Sequence, residues 1–213
     1  MTNALDNLIS GFNDFREQYF ETETELFDTL STAGQTPHTL VIACSDSRID
    51  PALIFSAEPG DLFVVRNVAN LVPAYTPNDT PNSASTAIEY AVRDLKVSHI
   101  VVLGHAQCGG IKAACSHVSG ADLSARDFLE SWVHLVHDVI APEVEKNDLK
   151  TLQRRAEQAS IQQSVKNLHS FPWIADEVQS GRVTINGWWF DLKAGALWAV
   201  DERNAEFRQI SGV

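Results

Sequence analysis

Three residues able to bind a soft divalent cation, Cys44, His105 and Cys108, follow short apolar runs. Cys44 ends Thr39-Leu-Val-Ile-Ala43 and opens Cys44-Ser-Asp46-Ser-Arg48, while His99-Ile-Val-Val-Leu103 leads into Gly104-His105-Ala-Gln-Cys108-Gly-Gly110. Singly, such a cysteine or histidine is usually a core residue; together at two strand ends they point to a metal. Two thiolates and one imidazole suit Zn²⁺ and leave one tetrahedral position open, the coordination of a catalytic rather than a structural site. Asp46 either caps that position or stands beside its water as an acceptor. Arg48, forked onto the carboxylate, would keep it ionised and oriented. A Cys44–Cys108 disulfide would be unusual in a reducing compartment and leaves His105, Asp46 and Arg48 unexplained. A phosphatase loop fits poorly, because only three residues separate Cys44 from Arg48 and none is glycine. Cys115 has no partner at ligand spacing and is assigned to packing.

The elements that must position these residues are legible in outline. Thr39–Ala43, Leu62–Val65 and His99–Leu103 are rich in β-branched residues with little alternation, the mark of parallel strands buried on both faces. Between the second and third, the spacing predicts a helix over Ser83–Lys96, with Ile88, Ala91, Val92 and Leu95 on one face. This βαβ pattern predicts an α/β fold, a mainly parallel doubly wound sheet with flanking helices. With strand order 2-1-3, Cys44 faces His105 and Cys108 at the carboxyl ends, where such sheets bind ligands. Asn3–Thr29 reads as one or two amphipathic helices, with Leu5, Leu8, Ile9, Phe12, Phe15, Tyr19 and Phe20 at helical spacing. Ala33-Gly-Gln35-Thr-Pro37 breaks that pattern. Ser124–Glu177 is mainly helical in pattern, interrupted at Pro142 and Pro172. Val183–Phe190 and Ala196–Val200, joined by Asp191–Gly195, read as a strand and an antiparallel edge hairpin.

The 213 residues fit one domain with a substantial core, and 44% hydrophobic with 21% charged residues is ordinary for a globular protein. A formal net charge of −12 argues against nucleic acid and against an anionic membrane surface. The N-terminal residues lack the basic and apolar regions of a secretory signal, and no apolar stretch reaches the length of a membrane span. Three cysteines cannot all be paired internally, so a cytoplasmic location with free thiols is expected.

The sequence is similar to the β-class carbonic anhydrases. The matching stretches are Ala43-Cys44-Ser-Asp46-Ser-Arg48, Glu58-Pro-Gly-Asp-Leu-Phe-Val-Val-Arg66-Asn-Val-Ala-Asn70, Ala87-Ile-Glu-Tyr90-Ala-Val92, Gly104-His105-Ala-Gln-Cys108-Gly-Gly110 and Gly187-Trp-Trp-Phe-Asp191. The resemblance covers about residues 35 to 200 and implies a single domain, 1–213, with a helical arm at 1–32 and a catalytic core at 35–200. It implies one Zn²⁺ per subunit on Cys44, His105 and Cys108, with Asp46 a fourth ligand only in a closed state. It further implies Asp46 and Arg48 as the catalytic pair. Gln35, Phe63, Val68 and Tyr90 match the residues that contact substrate, partly across a subunit boundary. The implied reaction is reversible hydration of carbon dioxide to bicarbonate and a proton, in a homodimer or higher homo-oligomer whose N-terminal helices pack on the partner. The same helices packing on their own domain is the alternative.

One departure bears on regulation. A subset of the family holds an inhibitory bicarbonate with a tryptophan three residues before the first ligand cysteine, together with an arginine and a tyrosine. Here Arg66 and Tyr90 match, but Val41 replaces the tryptophan, which implies a weakened inhibitory site and a water on the zinc near neutral pH. Two other readings keep the zinc: hydrolysis of carbon disulfide or carbonyl sulfide, and a non-catalytic protein braced by the metal.

Overall fold

The computed structural model describes residues 3–77, 81–144, 148–201 and 203–212, and the chain forms two compact units, Met1–Thr36 and Pro37–Val213. In the first, helix α1 (Ala4–Arg16) starts at Asn3, whose side chain accepts the Leu5 N–H at 3.2 Å. A π-helical turn over Glu17–Thr22 leads to α2 (Thr24–Ala33), which ends at Gly34, where φ is 79°. The helical region thus runs past Thr29, to Ala33. Phe15 packs its ring against Tyr19 at 5.1 Å and Phe27 at 5.4 Å, yet neither helix buries a residue.

The second unit is built on a six-stranded sheet: β1 (Thr39–Cys44), β2 (Leu62–Asn67), β3 (His99–His105), β4 (Thr184–Asp191), β5 (Ala196–Val200) and β6 (Phe207–Ser211), in the order β2-β1-β3-β4-β5-β6. β2, β1, β3 and β4 are mutually parallel, β5 runs antiparallel to β4, and β6 runs antiparallel to β5. The expected 2-1-3 order is therefore present. The expected antiparallel edge is present too, and it extends one strand beyond β5: Phe207–Ser211, polar and largely exposed, lies outermost. An edge strand with solvent on both faces has no apolar period to betray it.

Successive residues of the central strands face opposite layers, and both layers are apolar. Leu40, Ile42, Ile100 and Val102 pack with Ile88 of α4 (Ser83–Glu89), Ile161 of α8 (Leu149–Leu168) and Ile174 of α9 (Pro172–Gln179). Val41, Ala43, Val101 and Leu103 pack with Ile49, Trp188 and Phe55, the last from α3 (Pro51–Phe55). The expected helix at Ser83–Lys96 changes to a π-helical turn over Tyr90–Asp94 and stops before Lys96, whose φ is 57°. α5 (Gly109–Val118), α6 (Leu129–Val133) and α7 (His137–Val144) complete the second unit. Pro142 does not interrupt the helical region, because it lies inside α7, whereas Pro172 stands at the first turn of α9, where a missing N–H does no harm.

Candidate metal centre

Parallel pairing of β1 and β3 carries Cys44 and His105, each the last residue of its strand, to the same edge of the sheet. Cys108 immediately precedes α5, so its sulfur can be reached by N–H groups of that helix's first turn. The three side chains converge, with their ligand atoms all within 4.8 Å of one another. All three are buried, at 4%, 1% and 1% exposure for Cys44, His105 and Cys108.

The donor set fits a tetrahedral cation. The sulfurs are 3.8 Å apart, and both cysteines are free thiols rather than a disulfide. Two sulfurs each about 2.3 Å from a tetrahedral zinc would be separated by about 3.8 Å. His105 Nδ1 bonds the Ala106 carbonyl at 2.9 Å, which makes Nδ1 the protonated nitrogen and leaves a lone pair on Nε2. Nε2 is itself buried without a hydrogen-bond partner. Buried polar atoms are rarely left so, and here the orphan faces two sulfurs.

Electrostatics support the same reading. The Cys108 S–H donating to Cys44 holds the Cys44 thiol well below its usual range, against the effect of burial, helped by His105 and the N–H groups of Asp46 and Ala69. Cys108 is pushed up by that bond and by burial, offset by the N–H groups of Ile111 and Gly110. One proton is thus shared between two sulfurs, and a divalent cation would displace it. Burial works against a charged His105, but the Cys44 thiolate and the Ala106 carbonyl outweigh it and raise its pKa.

Two arginines hold the loop after β1. Asp46 Oδ1 accepts the Arg48 backbone N–H at 3.0 Å and Nε–H at 2.9 Å, while Oδ2 accepts Nη2–H at 2.7 Å. This forked bond holds the Asp46 carboxyl far below the usual carboxylate range. Arg48 also donates to the Gln107 carbonyl at 3.2 Å, joining the two ligand loops. Arg66 donates to the Cys44 carbonyl at 3.0 Å, the Asp46 carbonyl at 2.8 Å and the Asp50 carboxylate at 3.2 Å. Its guanidinium is committed to the loop, and Val41, paired with Val64 in the β1–β2 register, is a core residue at 1% exposure. Asp46 Oδ2 stands 3.9 Å from His105 Nε2, at the rim of the donor set.

The candidate substrate residues are dispersed. Val68 lies in the turn after β2, 41% exposed, its carbonyl accepting the Trp132 indole N–H at 2.7 Å. Phe63 pairs with Leu40 in the β1–β2 register, four residues before the Cys44–Asn67 pair, which places it about 13 Å down the strand. Its ring packs at 5.9 Å on that of Tyr90, which is 46% exposed. Gln35 belongs to the N-terminal unit, exposed just after α2.

Other residues shape the centre without being evident in the sequence. Ala69 and Asn70 adopt left-handed φ values of 67° and 50°, which turn the Ala69 N–H onto the Cys44 sulfur. A Cβ on Gly110 would lie 2.6 Å from Val68 Cγ1 and 3.0 Å from Ala69 Cβ, so α5 approaches this turn only through glycine. Behind Cys108 stands Glu157 of α8, 3% exposed. The available signal was its phase: Leu152, Ala156, Ser160, Ile161 and Ser164 flank it on one helix face, where a charge is out of place.

A family model described as carbonic anhydrase matches residues 39–197. A carbonic anhydrase of Pseudomonas aeruginosa is 35% identical over 207 residues, covering 95% of this chain and 90% of that protein. The structure of the β-carbonic anhydrase CcaA is similar at 32% identity and a TM-score of 0.90, with 98% of this chain and all of that one covered. The chain belongs to the β-class carbonic anhydrase family. One of two tetrameric β-carbonic anhydrases from Sordaria macrospora is also similar, at 30% identity and a TM-score of 0.81, with 93% of this chain and 98% of that one covered. The general activity of this family is carbon dioxide hydration, and the fold matches that of its solved members.

Proposed function

We propose that this β-carbonic anhydrase binds one zinc ion through Cys44, His105 and Cys108, and hydrates carbon dioxide reversibly to bicarbonate and a proton. The observation that carries this reading is the convergence of two sulfurs and an unpartnered Nε2 beside a carboxylate clamped by Arg48. Zinc so held supplies a Lewis acid that makes water a nucleophile near neutral pH. Asp46, kept ionised by Arg48, takes the hydrogen bond or proton of that water. The same forked bond engages both Asp46 oxygens, which supports Asp46 as an acceptor beside the metal rather than as one of its ligands.

Gln35 steadies a substrate oxygen, and Phe63, Val68 and Tyr90 supply the apolar wall. The 13 Å offset of Phe63 and the exposure of Val68 and Tyr90 support a wall completed by a second copy of the chain, in a homodimer or larger assembly. Free thiols at Cys44, Cys108 and Cys115 support a reducing, cytoplasmic location. Among the described residues, no helix is long and apolar enough to cross a membrane. Stopped-flow carbon dioxide hydration with zinc quantified in the same sample tests the reading. Activity should scale with zinc; a zinc-loaded sample that fails to hydrate carbon dioxide overturns the assigned reaction.

A further inference from the structure

A buried acid on α8 grips the second ligand loop from behind. Glu157 Oε1 accepts the Cys108 backbone N–H at 3.0 Å, and Oε2 accepts the Trp189 indole N–H at 3.2 Å. Gln153, one helical turn earlier, donates to the Cys108 carbonyl at 3.3 Å. Both polar groups of the Cys108 residue's own backbone are therefore held by one face of α8.

We infer that Glu157 is a positioning residue of the metal centre, fixing the Cys108 backbone so that its sulfur meets Cys44 and His105. The inference rests on the metal reading above. Each Glu157 oxygen faces an N–H donor, and burying a group this polar is expensive unless its partners require it. Packing alone would be served by an apolar residue, as at Ala156 and Ile161 on the same face.

The Cys108 backbone needs an external hold. Gln107 before it adopts φ 59°, a left-handed conformation unfavourable for a residue with a Cβ. Without Glu157 the Cys108 N–H would be a buried orphan, and the loop would lose what keeps that conformation in place. Trp189 extends the hold to the sheet. It lies on β4 opposite Gly104 of β3, adjacent to the pair His105–Phe190. One carboxylate thus ties the loop of Cys108 to the strand that flanks His105.

Glu157→Gln tests the role, because an amide nitrogen cannot accept either N–H and one donor loses its partner. Zinc affinity, measured by chelator competition, should fall about 10- to 100-fold, the usual loss when the partner of a metal ligand is removed. In the cobalt(II)-substituted protein, the sulfur-to-metal charge-transfer and ligand-field bands should shift. Ile174→Val, a core change on α9, should lower the melting temperature and leave both readouts alone. Gln153→Leu, at a half-buried position, is a second and milder variant and should weaken zinc in the same direction. Wild-type zinc affinity and an unchanged cobalt spectrum in Glu157→Gln, or in Gln153→Leu should the first fail to fold, overturn the inference. A wild-type protein that binds neither ion instead overturns the metal reading on which it stands.

Discussion

At the scale of single residues, a guanidinium keeps one carboxylate charged beside the three converging donors. Arg48 holds both Asp46 oxygens, so replacing Asp46 by Asn should leave zinc bound while carbon dioxide hydration falls about 100-fold or more, the range for loss of a positioned proton acceptor. Cys44→Ala should lose the zinc itself, and metal analysis of both variants separates the two outcomes. Cys115 gives a prediction of another kind. Burial first, and then Glu157, push its thiol up to about 11. An acid whose folded-state pKa is raised is neutral in both states at low pH and favours unfolding once the unfolded thiol ionises, above about 8.5. Stability should therefore decline as pH rises from that value toward 11, less so in Cys115→Ala, as followed by thermal melts. The three converging donors and the Asp46–Arg48 pair were legible because such residue types seldom meet by chance at strand ends. Arg66, whose guanidinium holds backbone carbonyls, and Ala69 and Asn70, which act through their own backbone, were not legible as supports of the centre, since backbone groups carry no residue-type signal.

At the scale of elements, two glycines in succession have different duties. A Cβ at Gly109 meets nothing within 4 Å, whereas one at Gly110 would strike Val68 and Ala69. Gly110→Ala should push the turn after β2 away from Cys44 and destabilise the fold by about 1–3 kcal/mol, the usual range for overpacking. It should also weaken zinc, because the Ala69 N–H moves from the Cys44 sulfur. Gly109→Ala should leave chelator competition and the melting temperature near wild type; equal behaviour of the two variants would refute this account. The central strands β1 and β3 were readable because both of their faces are apolar. β6 was missed for the converse reason, and Pro142 misled because α7 runs through it rather than ending there. Glu157 could have been noticed as a charge in phase with apolar positions on α8. Its partner, a backbone N–H far along the chain, could not be read from the sequence.

At the scale of the whole molecule, the N-terminal unit poses the remaining physical question. Its helices bury no residue, and Leu5, Leu8, Ile9 and Phe12 are each at least 60% exposed. Thirty-six residues with only a small aromatic cluster cannot bury enough apolar surface to hold their own order. A second copy of the chain is the partner that this face and the exposed Val68 and Tyr90 are proposed to meet. Paired Leu8→Asp and Phe12→Asp changes would set two charges in that apolar stripe while keeping every residue of the metal centre. Sedimentation velocity should then show a shift from dimer or larger assembly toward monomer. If the substrate wall is shared between copies, hydration activity should fall in step with the loss of assembly, while zinc per chain stays constant. Dissociation with full activity would place the wall within one chain, and unchanged sedimentation would show that the N-terminal helices do not hold the copies together.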